Sequence, residues 1–293
     1  MEKRFYGMQN DYMFRAVLQK SRPALKSLLC ALLHLDEAEI VSVEIMKPIE
    51  LGETIDGKTC MLDVKVELNK NKVINIELQI QRQSFWPERS LLYWARCFNE
   101  LESGKPYDSL RESCHIGILA FTLFPEDAEF YSEYRIQNCR TQRQYTDKFC
   151  IRILDLTKME MADEDTQKDI LQWARMIKAD SREELDAIAE ERQVFKEVAE
   201  LVKVLNNDKK IREQCEARFF YECDMASMRA EGRAEGRAEG RAEGRAEGRV
   251  EGQTEIIGQL YNNGFSAVKI AEITGKKTDE IYAIIRRYDG VVV

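Results

Sequence analysis

Two acidic side chains, Asp63 and Glu77, stand on neighbouring stretches that alternate between polar and apolar residues. On a strand through Met61–Leu68, Asp63, Lys65 and Glu67 share one face, and Leu62, Val64 and Val66 the other. On a second strand through Val73–Ile80, Asn75, Glu77 and Gln79 share the polar face, while Ile74, Ile76, Leu78 and Ile80 share the apolar one. A turn at Asn69-Lys70-Asn71 sets Asp63 opposite Glu77 on the same side, whereas an even-length turn would put them out of step. Two carboxylates so placed repel each other unless a proton or a cation intervenes. A hard divalent ion with oxygen ligands, Mg²⁺ or Mn²⁺, is their natural partner. Gln79 points the same way and can hold an attacking water or contact a phosphate. Lys65 lies on that face as well and could supply positive charge. A half-exposed hairpin with a solvated polar face produces the same pattern, so spacing alone leaves both readings open.

The surrounding elements must hold this hairpin. Residues 8 to 34 read as two short helices, the first capped by Asn10 and the second opening at Pro23, with Leu25, Leu28, Leu29, Leu32 and Leu33 forming a core stripe. From Ile40 the period changes to two. Ser84 to Ser103 reads as a helix ended by Gly104 and Pro106. Its Arg89 and Tyr93 are one turn apart, with Arg96 one turn further. That ridge could hold DNA phosphates, although Tyr93 and Trp94 also suit a core. Ile116–Phe124 is a continuous apolar run, expected as a buried strand, and Phe130–Ile136 and Phe149–Leu156 read as further strands. Helix, strands, helix, strands predicts an α/β or α+β fold, a mixed central sheet flanked by helices and followed by a mostly helical C-terminal tail.

The text carrying these elements includes Asn10-Asp-Tyr-Met-Phe14, Leu62-Asp-Val-Lys-Val66, Ile76-Glu-Leu-Gln-Ile80, Glu88-Arg-Ser-Leu-Leu-Tyr-Trp-Ala-Arg96 and Gly104-Lys-Pro-Tyr107. Asp63, a spacer, then Glu77-x-Gln79 on paired strands after an N-terminal helix resembles the PD-(D/E)XK nuclease motif. More narrowly, residues 5 to 157 resemble the bacterial PD-(D/E)XK nuclease family transposases, also called recombination-promoting nucleases. The resemblance implies a restriction-endonuclease-like core and Mg²⁺-dependent (or Mn²⁺-dependent) endonucleolytic hydrolysis of DNA, linked to recombination or mobile elements. It implies a metal held by Asp63, Glu77 and the backbone carbonyl of Leu78, with Asp11 on the first helix matching an acidic residue that approaches the metal in related nucleases. Asp11 also suits a surface or capping role. The superfamily's lysine is Gln79 here, as in other members of the narrower family, and a glutamine is neither a general base nor a cation. The rival expectation is a catalytically inactive DNA-binding or oligomeric interaction protein.

The chain has 293 residues, 33% of them charged, and a formal net charge of -8, which argues against a non-specific basic coat for nucleic acid. That balance does not exclude a nuclease, because an acidic metal site works once a cation offsets it. Eight cysteines form no C-x-x-C pair and only two histidines are present, so a zinc site has no support. The opening residues carry no apolar signal region and no stretch approaches a membrane span, predicting a cytoplasmic, reduced protein without a membrane partner.

Four parts are expected along the chain: a nuclease-like core at 1–157, a charged helical region at 158–228, a repeat at 229–252 and a small helical unit at 253–293. The repeat runs through six four-residue units, from Arg229-Ala-Glu-Gly232 to Arg249-Val-Glu-Gly252. On a helix its Arg and Glu ridges lie about 200° apart, and each glycine costs roughly 1 kcal/mol against alanine. A charged spacer or lone extended helix is one reading. A self-associating helix, giving a homo-oligomer through the C-terminal region, is the other. Capping signals at Ser266 and Thr278 around Val268, Ile270, Ala271, Ile273, Ile281, Ile284 and Ile285 resemble a helix-turn-helix unit. Lys269, Lys276, Lys277, Arg286 and Arg287 are matched by as many acidic residues, so a dimerisation cap suits the same pattern.

Overall fold

A computed structural model describes residues 4–46, 64–99, 101 and 104–289. Asp63, Leu62 and Met61 lie outside the described residues. The first helix, α1 (Asp11–Lys20), starts where the Asn10 side chain accepts from the Met13 N–H. Ser21 caps α2 (Arg22–Leu33) in the same way, with Pro23 in the first turn. Asn10 and Pro23 thus act as read, and Ser21 supplies a cap the sequence reading did not name.

Six strands form one mixed sheet in the order β1-β2-β3-β4-β6-β5. They are β1 (Val43–Ile45), β2 (Val64–Leu68), β3 (Lys72–Gln79), β4 (Glu112–Leu119), β5 (Tyr131–Tyr134) and β6 (Phe149–Asp155). The first three pair antiparallel, β3, β4 and β6 run parallel, and β5 returns antiparallel on β6. Between β2 and β3 the loop is three residues long, Leu68 facing Lys72 and Val64 facing Ile76. This is the odd-length turn the carboxylate reading requires. Asn69 and Lys70 adopt left-handed backbone at φ 51° and 62°, a region asparagine tolerates well. The Asn69 side chain is fastened at both ends: Oδ1 accepts from the Val41 and Ser42 N–H groups, and Nδ2 donates to the Glu39 carbonyl. Register therefore rests on a side chain as well as on the ladder.

The apolar faces of β2, β3 and β4 (Val64, Val66, Ile74, Ile76, Cys114, Ile116, Ile118) join α1 and α2 in the main core. Three later helices, α4 (Lys168–Lys178), α5 (Arg182–Ala189) and α6 (Gln193–Asn207), complete that layer with Trp173, Leu185, Phe195 and Val198. Residues beyond 157 therefore share the hydrophobic cluster of the sheet. The opposite face is covered by α3 (Trp86–Phe98), whose Trp86 packs with Leu119, Phe121, Phe149, Ile151 and Ile153. Gly117 makes that contact feasible: a Cβ there would lie 2.6 Å from Trp86 Cζ2.

Two elements differ from expectation. β4 begins at Glu112 rather than Ile116 and stops at Leu119. Its polar start belongs to the sheet because Lys72 pairs with Glu112 at 2.9 Å and the Trp94 indole donates to the Ser113 carbonyl. Helix α3 is shorter than Ser84–Ser103, opening at Trp86 and ending at Phe98, with Asn99 as its C-cap.

From Lys209 to Asn262 the chain is one helix, α7, which includes all six repeat units. A Cβ at any repeat glycine would meet nothing within 4 Å. By compactness the chain divides into Met1–Glu222 and Cys223–Val293. In the second unit, Ile257 of α7, Ile270 of α8 (Ala267–Thr274) and Ile281 and Ile285 of α9 (Thr278–Asp289) form a small separate core. Thr278 is the first residue of α9 rather than its cap. No described helix is long and apolar enough to cross a membrane, and the described cysteines are free thiols.

Candidate active site

Alternation along β3 sends Asn75, Glu77 and Gln79 to the α3 side of the sheet. Glu77 is only 3% exposed, and a bare carboxylate there would be costly. Arg89, one turn into α3, answers it: Nε and Nη2 donate to Glu77 Oε1 at 3.0 and 2.8 Å. Arg89 in turn lies over the Tyr93 ring at 4.6 Å, and Arg96 over the same ring at 5.7 Å. The expected Arg/Tyr ridge is thus formed, with Arg89 turned onto Glu77 and Tyr93 buried beneath the two guanidinium groups.

His115, on β4 opposite Asn75, completes this buried cluster. Its ring is fully buried between Trp86 and Tyr93, with ring centroids 6.0 and 5.9 Å away. Asn75 Nδ2 lies 3.0 Å from His115 Nδ1, and His115 Nε2 is 3.9 Å from Glu77 Oε2. Burial, aided by the nearby Arg89 charge, lowers the His115 pKa to about 3, so the imidazole is neutral at physiological pH. His115 lies just before the Ile116 start that the apolar run predicts for this strand, and its place on the Ser113-His115-Gly117 face is the signal that the sequence carries.

Gln79 donates from Nε2 to the Gln81 carbonyl at 3.0 Å, and Gln81 donates to the Glu222 carbonyl on α7 at 3.0 Å. Asp11 sits in this second neighbourhood. It is 2% exposed, and its Oδ2 is 2.6 Å from Arg218 Nε, itself 3.2 Å from Glu222 Oε1. Asp11 is neither a surface residue nor the helix cap, which is Asn10. Arg218 and Glu222 are one turn apart on a charged helix, and nothing local distinguishes them from solvated i,i+4 pairs. Lys65 is half-buried opposite Asn75. The Leu78 side chain belongs to the main core, leaving only its backbone for chemistry.

Burial outweighs the Arg218 charge and raises the Asp11 pKa to about 6. A carboxyl whose folded pKa is raised favours the native state when protonated, so this contribution is present below about pH 4 and lost as pH rises through about 6. In chelator, the wild type should therefore lose roughly 3 kcal/mol relative to Asp11→Asn between pH 4 and pH 7. Parallel denaturant titrations at the two pH values check this. An unchanged difference would mean that Asp11 keeps an ordinary carboxylate pKa.

The family model of PD-(D/E)XK nuclease family transposases matches residues 8–232. The chain belongs to this family. The match runs well beyond residue 157, the end of the resemblance read from the sequence, so α4 to α6 and the Arg218–Glu222 turn of α7 lie within the family's matched region. No curated protein and no solved structure matches the chain significantly.

Enzymes of this kind use divalent metal ions. Among the described residues no group of three His, Cys, Asp or Glu side chains is placed to hold a metal. Glu77 nevertheless fits a hard cation, being a buried oxygen donor whose charge already draws a guanidinium.

Proposed function

We propose that this family member is a DNA endonuclease dependent on Mg²⁺ or Mn²⁺, acting in the cytoplasm in recombination or mobile-element biology. One observation carries the reading: in a chain of a nuclease family, β3 places Glu77 buried and charge-compensated on the polar face of the sheet, two residues before Gln79. Glu77, the Leu78 carbonyl and Asp63, the residue preceding β2, would hold the ion in this reading, and Asp11 is a further candidate ligand. Val64 facing Ile76 is the register that such a pairing of Asp63 with Glu77 requires. When bound, the ion supplies Lewis acidity, lowering the pKa of water and offsetting phosphate charge.

The chain's own residues then have separate tasks. Gln79 orients the attacking water through its amide, whose N–H side is steadied by the Gln81 carbonyl. Lys65 adds positive charge on the same face. Arg96, exposed on α3, and Arg89, once relieved of Glu77, engage phosphate oxygens.

The test is plasmid cleavage by the full chain with Mg²⁺, Mn²⁺, Ca²⁺ or EDTA, beside Asp63→Ala. Nicking or linearisation that needs Mg²⁺ or Mn²⁺ and disappears in the variant is expected. No cleavage by folded protein in any metal would sink the enzymatic reading and favour a DNA-binding or assembly role.

A further inference from the structure

The two oxygens of Glu77 have different neighbours. Oε1 accepts both Arg89 donors, whereas Oε2 faces the His115 imidazole at 3.9 Å. That gap is too long for a hydrogen bond. His115 Nε2 is buried and has no hydrogen-bond partner among the described residues. An amide nitrogen can only donate, so the 3.0 Å contact from Asn75 Nδ2 makes His115 Nδ1 the acceptor and leaves the ring proton on Nε2. Strand geometry enforces the arrangement. Asn75 and Glu77 are successive residues on one face of β3, and His115 is registered opposite Asn75 on β4, so its ring spans from one to the other. Trp86 and Tyr93 both pack against the ring.

We infer that His115 is a positioning residue for Glu77: locked by Asn75, it turns its one N–H toward Oε2 and sets the plane in which the carboxylate meets a cation. The inference rests on the metal-site reading above. Arg89 and His115 differ in the way that matters. A guanidinium offsets the same charge a metal would use and therefore competes with it. A neutral N–H does not, and it faces Oε2 across 3.9 Å, free to engage that oxygen once the cation has taken Oε1 from Arg89. A small rotation of the carboxylate closes the contact. Partners of this kind behind a metal-binding carboxylate fix its orientation and its basicity. A histidine serving only to fill the core would be replaceable by an apolar side chain of similar size without effect on metal binding.

Two measurements decide it. Ring ¹⁵N–¹H correlation spectra of the full chain contain only His34 and His115, and His34→Gln assigns them. A proton on Nε2 of His115 is expected, and a proton on Nδ1 overturns the inference. Mn²⁺ titration calorimetry then compares wild type with His115→Gln, which keeps an N–H near the Nε2 position, and His115→Leu, which has none. The Gln variant should bind close to wild type and the Leu variant about 10- to 100-fold more weakly. Equal affinities for wild type and Leu, or equal losses in both variants, overturn the inference while leaving the metal site intact. If His115→Leu does not fold, the wild-type tautomer and the Gln variant still decide. Folded wild type that binds no Mn²⁺ removes the metal-site reading itself, and this inference with it.

Discussion

Glu77→Gln should reduce metal-dependent DNA cleavage by at least about 10²- to 10³-fold, the range seen when one preorganised electrostatic group is removed from a site. The substitution keeps the shape of a side chain that is nearly fully buried, so packing against α3 is retained and the loss is chemical. An amide oxygen remains, but the negative charge that binds a divalent ion does not. Arg89 loses its counter-charge at modest cost, because its side chain is 29% exposed and water screens it. Folding, followed by circular dichroism and thermal melting, should therefore stay close to wild type while initial cleavage rates collapse. Raising Mn²⁺ should recover little, since a ligand rather than its surroundings has gone. Cleavage within a few-fold of wild type would detach Glu77 from the chemistry and move the search to Asp11, Arg218 and Glu222.

The hairpin was legible because its information is local. Period-two alternation assigns faces, and an Asn-Lys-Asn turn is short enough to fix register, so Val64 opposite Ile76 follows from counting. Helix starts at Asn10 and Ser266 were legible for the same reason: a cap is read within three residues. The start of β4 was obscured because Ser113 and His115 are polar yet interior, their polarity satisfied by Trp94 and Asn75 from other elements. The Asp11–Arg218 pair spans over two hundred residues, and pairing at that separation leaves no periodic trace. Arg89 shows the limit most sharply. Its spacing from Tyr93 and Arg96 was correct, but what a ridge faces depends on which sheet surface the helix covers, and that is decided by Gly117 accommodating Trp86.

Arg89→Ala should destabilise the metal-free protein by about 3–5 kcal/mol, because it takes both Arg89 donors away from a buried carboxylate. For a unit of the size of Met1–Glu222, this corresponds to a fall in Tm of at least about 6 °C in EDTA. The carboxylate can escape part of the cost by taking a proton, so the defect should shrink as pH is lowered. Two further arms separate charge from packing. Arg89→Ala/Glu77→Gln removes both partners and should recover much of the lost stability, since a buried pair costs most when only half of it is deleted. Mn²⁺ should raise the Tm of Arg89→Ala more than that of wild type, because in the variant the ion has no guanidinium to displace from Glu77 Oε1. Cleavage should nevertheless fall if Arg89 also engages the phosphate after release, so the variant would bind metal better and turn over DNA worse. A variant that melts with wild type in EDTA would mean that the Arg89–Glu77 pair carries little energy, and would remove the argument that Glu77 is held in a cation-demanding place.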